Sequence, residues 1–165
     1  MTKEKAPVTP AVRVLRAAKI PFTDHLYVYE EKGGTAVSSR ELGVDEHVVV
    51  KTLILEDDGR NPLVVLMHGD RQVSTKELAR IIGVKTVTPC SHETALKHTG
   101  YLVGGTSPFG TRKSMRIYME ETILNLPKIY INGGKRGYLV GIDPKDVARI
   151  LKPALVRVAV RSIHS

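Results

Sequence analysis

Cysteine is nearly missing from this chain: among 165 residues there is one, Cys90. A lone thiol excludes an internal disulfide framework and any paired-cysteine metal knuckle. Long apolar runs are missing too. No stretch approaches the roughly 18 residues that crossing a bilayer takes, and the opening MTKEKAPVTP lacks the apolar centre of a secretory signal. His25, His47, His68, His92, His98 and His164 show no H-x-x-x-H spacing and no paired carboxylates, so neither a metal nor another cofactor is expected. No internal repeat and no linker divides the chain. At 42% hydrophobic and 25% charged residues, the composition is that of a folded globular domain. The expectation is one soluble, cytoplasmic domain over residues 9–165, with no membrane contact, behind a frayed polar tail over residues 1–8.

What the chain does have is positive charge, and unevenly. Against 25 Lys and Arg stand 17 Asp and Glu, a formal net of +8. Residues 1–99 carry 14 basic and 13 acidic side chains, while residues 100–165 carry 11 and 4, so nearly all of the excess lies in the last two-fifths. A field concentrated in one region points to a polyanionic partner, nucleic acid first, with a merely solubilising surface as the alternative.

Turn and cap signals divide the chain into short elements. Thr9-Pro10 opens a helix whose apolar stripe is Val12, Leu15 and Ala18, and Pro21 ends it. Phe22–Tyr29 reads as a strand, and Thr35–Leu42 as a helix closed by Gly43. Val48–Leu55 is the strongest strand signal, and a turn at Asp57–Arg60 returns the chain through Pro62–Met67. Ser74 and Glu77 make a capping box for a helix stopped by Gly83. Strands are expected at Val84–Val87, Met115–Met119, Lys128–Ile131 and Tyr138–Val140, with an edge strand within Leu155–Val160. Helices are expected at Ser91–Lys97 and from Asp143-Pro144 to Leu151, and Asn132–Gly137 reads as a tight glycine turn. Short strands mixed with short helices indicate an α/β fold of the α+β kind, with a mixed sheet.

Three places carry candidate chemistry. Lys51 interrupts a strand that is otherwise apolar on both faces, with Val50, Thr52 and Ile54 on one side and Val49, Leu53 and Leu55 on the other. A lysine there is paired, lines a polar cavity, or marks a sheet edge. The loop Gly104-Gly105-Thr106-Ser107-Pro108 lets backbone N–H groups approach a carbonyl oxygen or an anion, unless it is a plain turn. It fits neither G-x-x-x-x-G-K nor G-x-S-x-G, since Thr111 follows Gly110 and no glycine follows Pro108. Asn132-Gly133-Gly134-Lys135-Arg136-Gly137 sets two cations beside flexible backbone, as a phosphate or ribose contact or as a solvated hairpin tip. Cys90 follows Pro89 with no signal of a catalytic thiol and reads as a small packing residue.

Taken in order and spacing, Thr9-Pro10-Ala11, Lys19–Phe22, Val50–Leu53, Thr99–Pro108 and Ile129–Gly137 resemble the YbaK/EbsC family of aminoacyl-tRNA deacylases. These editing domains are related to the insertion domain of bacterial prolyl-tRNA synthetase. The resemblance runs from Thr9 to about Leu151 and implies a single compact domain with a curved mixed sheet flanked by short helices. It also implies hydrolysis of the ester between a wrong amino acid and the terminal ribose of tRNA, most typically cysteine on tRNA(Pro). Lys51 matches the family's essential lysine, Gly104 and Pro108 its G-x-x-x-P loop, and Tyr27 a pocket tyrosine. Asn132 stands where serine is frequent, and Leu139 where some members carry Asp.

The expected catalytic groups are therefore Lys51, Gly104 and Gly105; the expected substrate contacts are Tyr27, Thr106, Ser107, Pro108, Asn132, Gly133, Gly134, Lys135 and Arg136. The expected partners are the acceptor end of tRNA and prolyl-tRNA synthetase. The alternatives are a deacylase for another mischarged tRNA such as alanyl-tRNA(Pro), or a non-catalytic module that binds tRNA or a nucleotide; a small-molecule esterase lacks a nucleophile signature.

Overall fold

Two aliphatic runs, Val49–Asp57 (β2) and Pro62–His68 (β3), pair as an antiparallel hairpin at the centre of the fold. Every residue of β3 is buried, as expected of a strand covered on both faces. The computed structural model describes residues 5–161. Around the hairpin stand β1 (Thr23–Leu26), β6 (Arg116–Glu120), β7 (Ile129–Lys135), β8 (Tyr138–Ile142) and β9 (Ala154–Val156). The strand order is β1-β8-β7-β2-β3-β6-β9, with β5 (Val87–Pro89) pairing the far end of β2. β2 runs parallel to β7, and β6 is parallel to both β3 and β9, so the eight-stranded sheet is mixed. A separate two-stranded sheet joins β4 (Arg71–Val73) to β10 (Ala159–Arg161).

Among the described residues five helices flank the sheet: α1 (Pro10–Ala17), α2 (Gly34–Leu42), α3 (Thr75–Ile82), α4 (His92–Thr99) and α5 (Pro144–Leu151). Their starts follow the caps. Thr9 Oγ1 accepts from Val12 N at 3.1 Å, a cap worth about 1 kcal/mol. The same hydroxyl donates to Gly133 O at 2.5 Å, tying α1 to β7. One core packs Leu15, Val50, Ile54, Phe109, Ile131 and Val147; the other packs Leu55, Val65, Leu78 and Val156 on the opposite face of the sheet.

Several expected boundaries move for local reasons. The strand over Phe22–Tyr29 is confined to Thr23–Leu26; beyond it only Tyr27 N still donates, to Gly137 O. Val84 N closes α3 on Ala79 O, while Lys85 N and Thr86 N donate to the Asp58 carboxylate, so β5 starts at Val87. The capping box is half made. Ser74 Oγ accepts from Glu77 N, but Ser74 N donates to Val158 O and Glu77 turns to Arg80. The expected edge strand becomes β9 and β10, interrupted where the buried Glu120 carboxylate accepts from Val158 N and Ala159 N at 2.7 and 2.8 Å. β7 continues through Asn132–Lys135 with a bulge, leaving only Arg136-Gly137 as the turn.

Residues 5–8 form no helix or strand; residues 1–4 and 162–165, with His164, lie outside the described residues. Among the described residues no helix is long and apolar enough to cross a membrane, and no three His, Cys, Asp or Glu cluster as metal ligands.

Candidate active site

The sheet splits beside β2. β7 pairs with it only at Val49–Val50 and β5 only from Leu55, so Lys51–Ile54 has no ladder partner on that side. Val49 O accepts from Gly69 N next to β3, whereas Ile54 O accepts from Cys90 N on the β5 side. Because strand amides alternate, the N–H and C=O of Thr52 point with those of Ile54 into the gap. Thr52 Oγ1 is also buried without a partner. A cleft of about 740 Å³ occupies this gap. Unsatisfied polar groups in a cavity wall are what a polar ligand would complete.

Lys51 is half-buried and lines the cleft where β2 is locally unpaired, within a strand that is interior to the sheet order. Of the readings open from the sequence it takes that of a lysine lining a cavity. Its Nζ donates to Gly69 O at 3.4 Å. Burial pushes its pKa down from the ordinary lysine value, while the charges of Glu46 and Asp70 pull it back up. Each carboxylate is itself held. Glu46 accepts from the Thr35 hydroxyl at 2.7 Å, and Asp70 is bonded by His47 Nδ1 and by Arg71, both at 2.9 Å. Burial raises the Asp70 pKa, but the His47 bond and the charges of His47, Arg71 and His68 outweigh it, for a net lowering. Gly69 is required at the crossing, since a Cβ there would stand 2.7 Å from Glu46 O. His47 stacks on His68 at 3.8 Å. His68 Nδ1 lies 2.8 Å from His47 O, so this nitrogen carries the proton and Nε2 accepts from the Thr122 hydroxyl at 2.7 Å.

The glycine loop forms the other wall. Tyr101 OH donates to Phe109 O at 2.6 Å and anchors the loop in the core. Gly104 sits at φ +94°, and a Cβ on it would lie 2.6 Å from Tyr29 Oη. Asn132 braces it: Nδ2 donates to Gly104 O at 3.1 Å while Oδ1 accepts from Gly134 N and Lys135 N. Arg136 Nε donates to Val103 O at 2.9 Å, and its guanidinium lies 5.0 Å from the centre of the Tyr29 ring. The Gly104 N–H has no acceptor among the described residues. The Gly105 N–H is already given to Leu102 O at 2.8 Å.

The expected site residues thus separate. Lys51, Gly104, Tyr27, Thr106, Asn132 and Arg136 all line the cleft. Gly105, Ser107, Pro108, Gly133, Gly134 and Lys135 do not. Gly105 packs against the turn after β7, where a Cβ would stand 2.7 Å from Arg136 N. Ser107 is fully buried and its Oγ accepts from Phe109 N, shaping the loop next to buried Pro108. Gly133 makes room for the Tyr138 ring, and Gly134, at φ +98°, for Tyr101. Sequence reasoning missed Tyr29, Thr52, Glu46 and Asp70. Only Tyr29 had a local signal, the period-two spacing from Tyr27.

Residues 30–150, spanning both walls, match the family described as the aminoacyl-tRNA editing domain. The chain belongs to that family. Over 140 residues it is 29% identical to EbsC of Enterococcus faecalis, described as a candidate Cys-tRNA(Pro)/Cys-tRNA(Cys) deacylase; the match covers 84% of this chain and 85% of EbsC. It is 35% identical over 122 residues to a proline–tRNA ligase of Thermodesulfovibrio yellowstonii, covering 72% of this chain and 20% of the ligase. A solved structure described as a candidate trans-editing enzyme for prolyl-tRNA synthetase superposes with a TM-score of 0.79 at 17% identity, covering 93% of this chain and 99% of that one, which shows the shared fold. The resemblance read from the sequence therefore holds: the chain is an editing domain whose substrate class is mischarged aminoacyl-tRNA.

Within this editing domain no lining hydroxyl is hydrogen-bonded to a histidine among the described residues. The Cys90 thiol in the wall is pushed up to about 11 by burial and by Glu56. It is protonated near neutrality and is no nucleophile.

Proposed function

We propose that this protein is a trans-editing hydrolase that removes cysteine from tRNA(Pro), in association with prolyl-tRNA synthetase. One observation carries the catalytic part: Lys51, a partly desolvated cation, stands in the wall of the cleft whose other wall offers the unused N–H of Gly104. Ester hydrolysis needs donors where negative charge develops on the carbonyl oxygen, and an aligned N–H in a sheltered cleft stabilises that charge far better than water does. Lys51 binds the terminal phosphate or ribose oxygens, or polarises the ester; its charge acts strongly because burial lowers the local dielectric.

Among the described residues no lining hydroxyl is bonded to a histidine and the Cys90 thiol is protonated, so the attacking group comes from the substrate or from water. The cysteinyl sulfur attacks its own ester carbon; a C–S bond forms, the C–O bond to the ribose breaks, and the thiol proton passes to the departing ribose oxygen. Water then opens the thiolactone to free cysteine. Seryl and alanyl esters on the same tRNA test this step, because they lack the thiol. Cysteinyl ester cleaved much faster than both is the expected result; equal rates for all three exclude the thiol as nucleophile.

A further inference from the structure

The cleft described above does not absorb a second hollow, of about 260 Å³, that opens beside it. Its lining includes three cations, Lys5, Lys135 and Arg136, and no carboxylate. Tyr27 and Arg136 belong to both linings, so the two hollows are neighbours that share these side chains. Tyr27 is fixed by its N–H, which donates to Gly137 O at 2.9 Å. Arg136 is fixed by its bond to Val103 O and by its place over the Tyr29 ring. Lys5 and Lys135 are exposed and supply charge to the second hollow only.

Cations that track a backbone, beside an aromatic face on which a base can stack, form the general pattern of a single-stranded nucleic-acid groove. We propose that this hollow seats the nucleotide that precedes the terminal adenosine, with Lys5, Lys135 and Arg136 on the phosphate joining the two and Tyr27 offering its ring to the base. The inference rests on the editing reading, which puts the aminoacylated nucleoside in the larger cleft. Part of the basic excess of residues 100–165 then serves to hold the incoming strand in register, so that the ester reaches Lys51 and Gly104. Phosphate contacts of this kind are indifferent to sequence, so the hollow contributes affinity and position while tRNA identity is read elsewhere.

The probes are a fluorescent ribo-oligonucleotide ending in CCA and a copy whose last two phosphodiesters are uncharged methylphosphonates. Both are titrated by anisotropy against the wild-type protein and the Lys5→Ala/Lys135→Ala variant, which removes only exposed side chains. The wild type should bind the charged probe about tenfold more tightly than the neutral one, and its affinity should fall with salt at a slope steeper than the variant's by up to about 0.7, the value for one single-strand phosphate. The double variant should lose most of that preference and keep only the part that Arg136 and Lys51 supply. If neutralising the linkages costs the wild type and the variant the same, the hollow is not the phosphate seat and the proposal is overturned. Turnover of cysteinyl-tRNA(Pro) by the wild type is followed separately. Its absence would sink the editing reading, while the two probes still decide what the hollow binds.

Discussion

On one wall of the cleft a charge is held by side chains; on the other a backbone donor is held by glycines and an amide. Lys51 is poised by carboxylates on Glu46 and Asp70, and each of those is bonded in turn by Thr35 or by His47 and Arg71. Gly104 is held by the absence of a side chain at φ +94° and by Asn132 bridging from β7. The lysine wall is therefore tuned by charge and by pH. The glycine wall depends on space, and an added methyl group harms it more than a lost charge does.

Removing the cation has the largest effect. Lys51→Ala should lower the single-turnover deacylation rate by at least about 10²-fold, the scale for deleting one preorganised electrostatic group. Lys51→Arg should not rescue it, since a wide planar guanidinium does not replace a compact ammonium. The glycine wall comes next. Gly105→Ala drives a Cβ to 2.7 Å from Arg136 N and 2.9 Å from Lys135 C, backbone atoms that cannot yield cheaply. Its cost should be about 1–3 kcal/mol of stability, read as a lowered denaturation midpoint. Gly104→Ala meets the flexible end of Tyr29 but strains a positive φ, so it should impair catalysis while the protein still folds.

A smaller effect sharpens the lysine side. The cationic form of Lys51 is the active one, so activity falls as pH rises through its pKa, which burial already holds below the usual lysine value. Glu46 raises that pKa; Glu46→Gln should therefore move the alkaline limb of the pH–rate profile to lower pH. An unmoved limb would mean that another group titrates there. Smallest of all, Cys90→Ser should leave the deacylation rate unchanged, because a thiol pushed up to about 11 is not the nucleophile.

The two walls also differed in how far they could be read in advance. Lys51 was legible because a single cation interrupts an apolar strand, and the helix starts were legible from Thr9, Ser74, Ser91 and Asp143, whose side chains do accept from the first turns. The carboxylates behind Lys51 were not, since Glu46 and Asp70 reach it through the crossing of Gly69 with the turn before β2, a contact between segments that share no periodicity. The glycines of Asn132–Gly137 read as a turn because flexibility is their local signal. Their reason is steric instead: Gly133 and Gly134 make room for the rings of Tyr138 and Tyr101, so β7 runs on through them. Gly105 draws a chemical reading from the same local signal, yet its N–H is given to Leu102 O. The split in the sheet has no local signature, because it depends on where β5 and β7 each stop pairing with β2.

The most direct test of the account is single-turnover deacylation of tRNA(Pro) charged separately with cysteine, alanine and proline, by the wild-type protein and by Lys51→Ala. Rapid loss of cysteine alone, abolished by the substitution while tRNA binding persists, is the expected result. Cysteine released equally fast without Lys51, or no release of any of the three by the wild type, would contradict it.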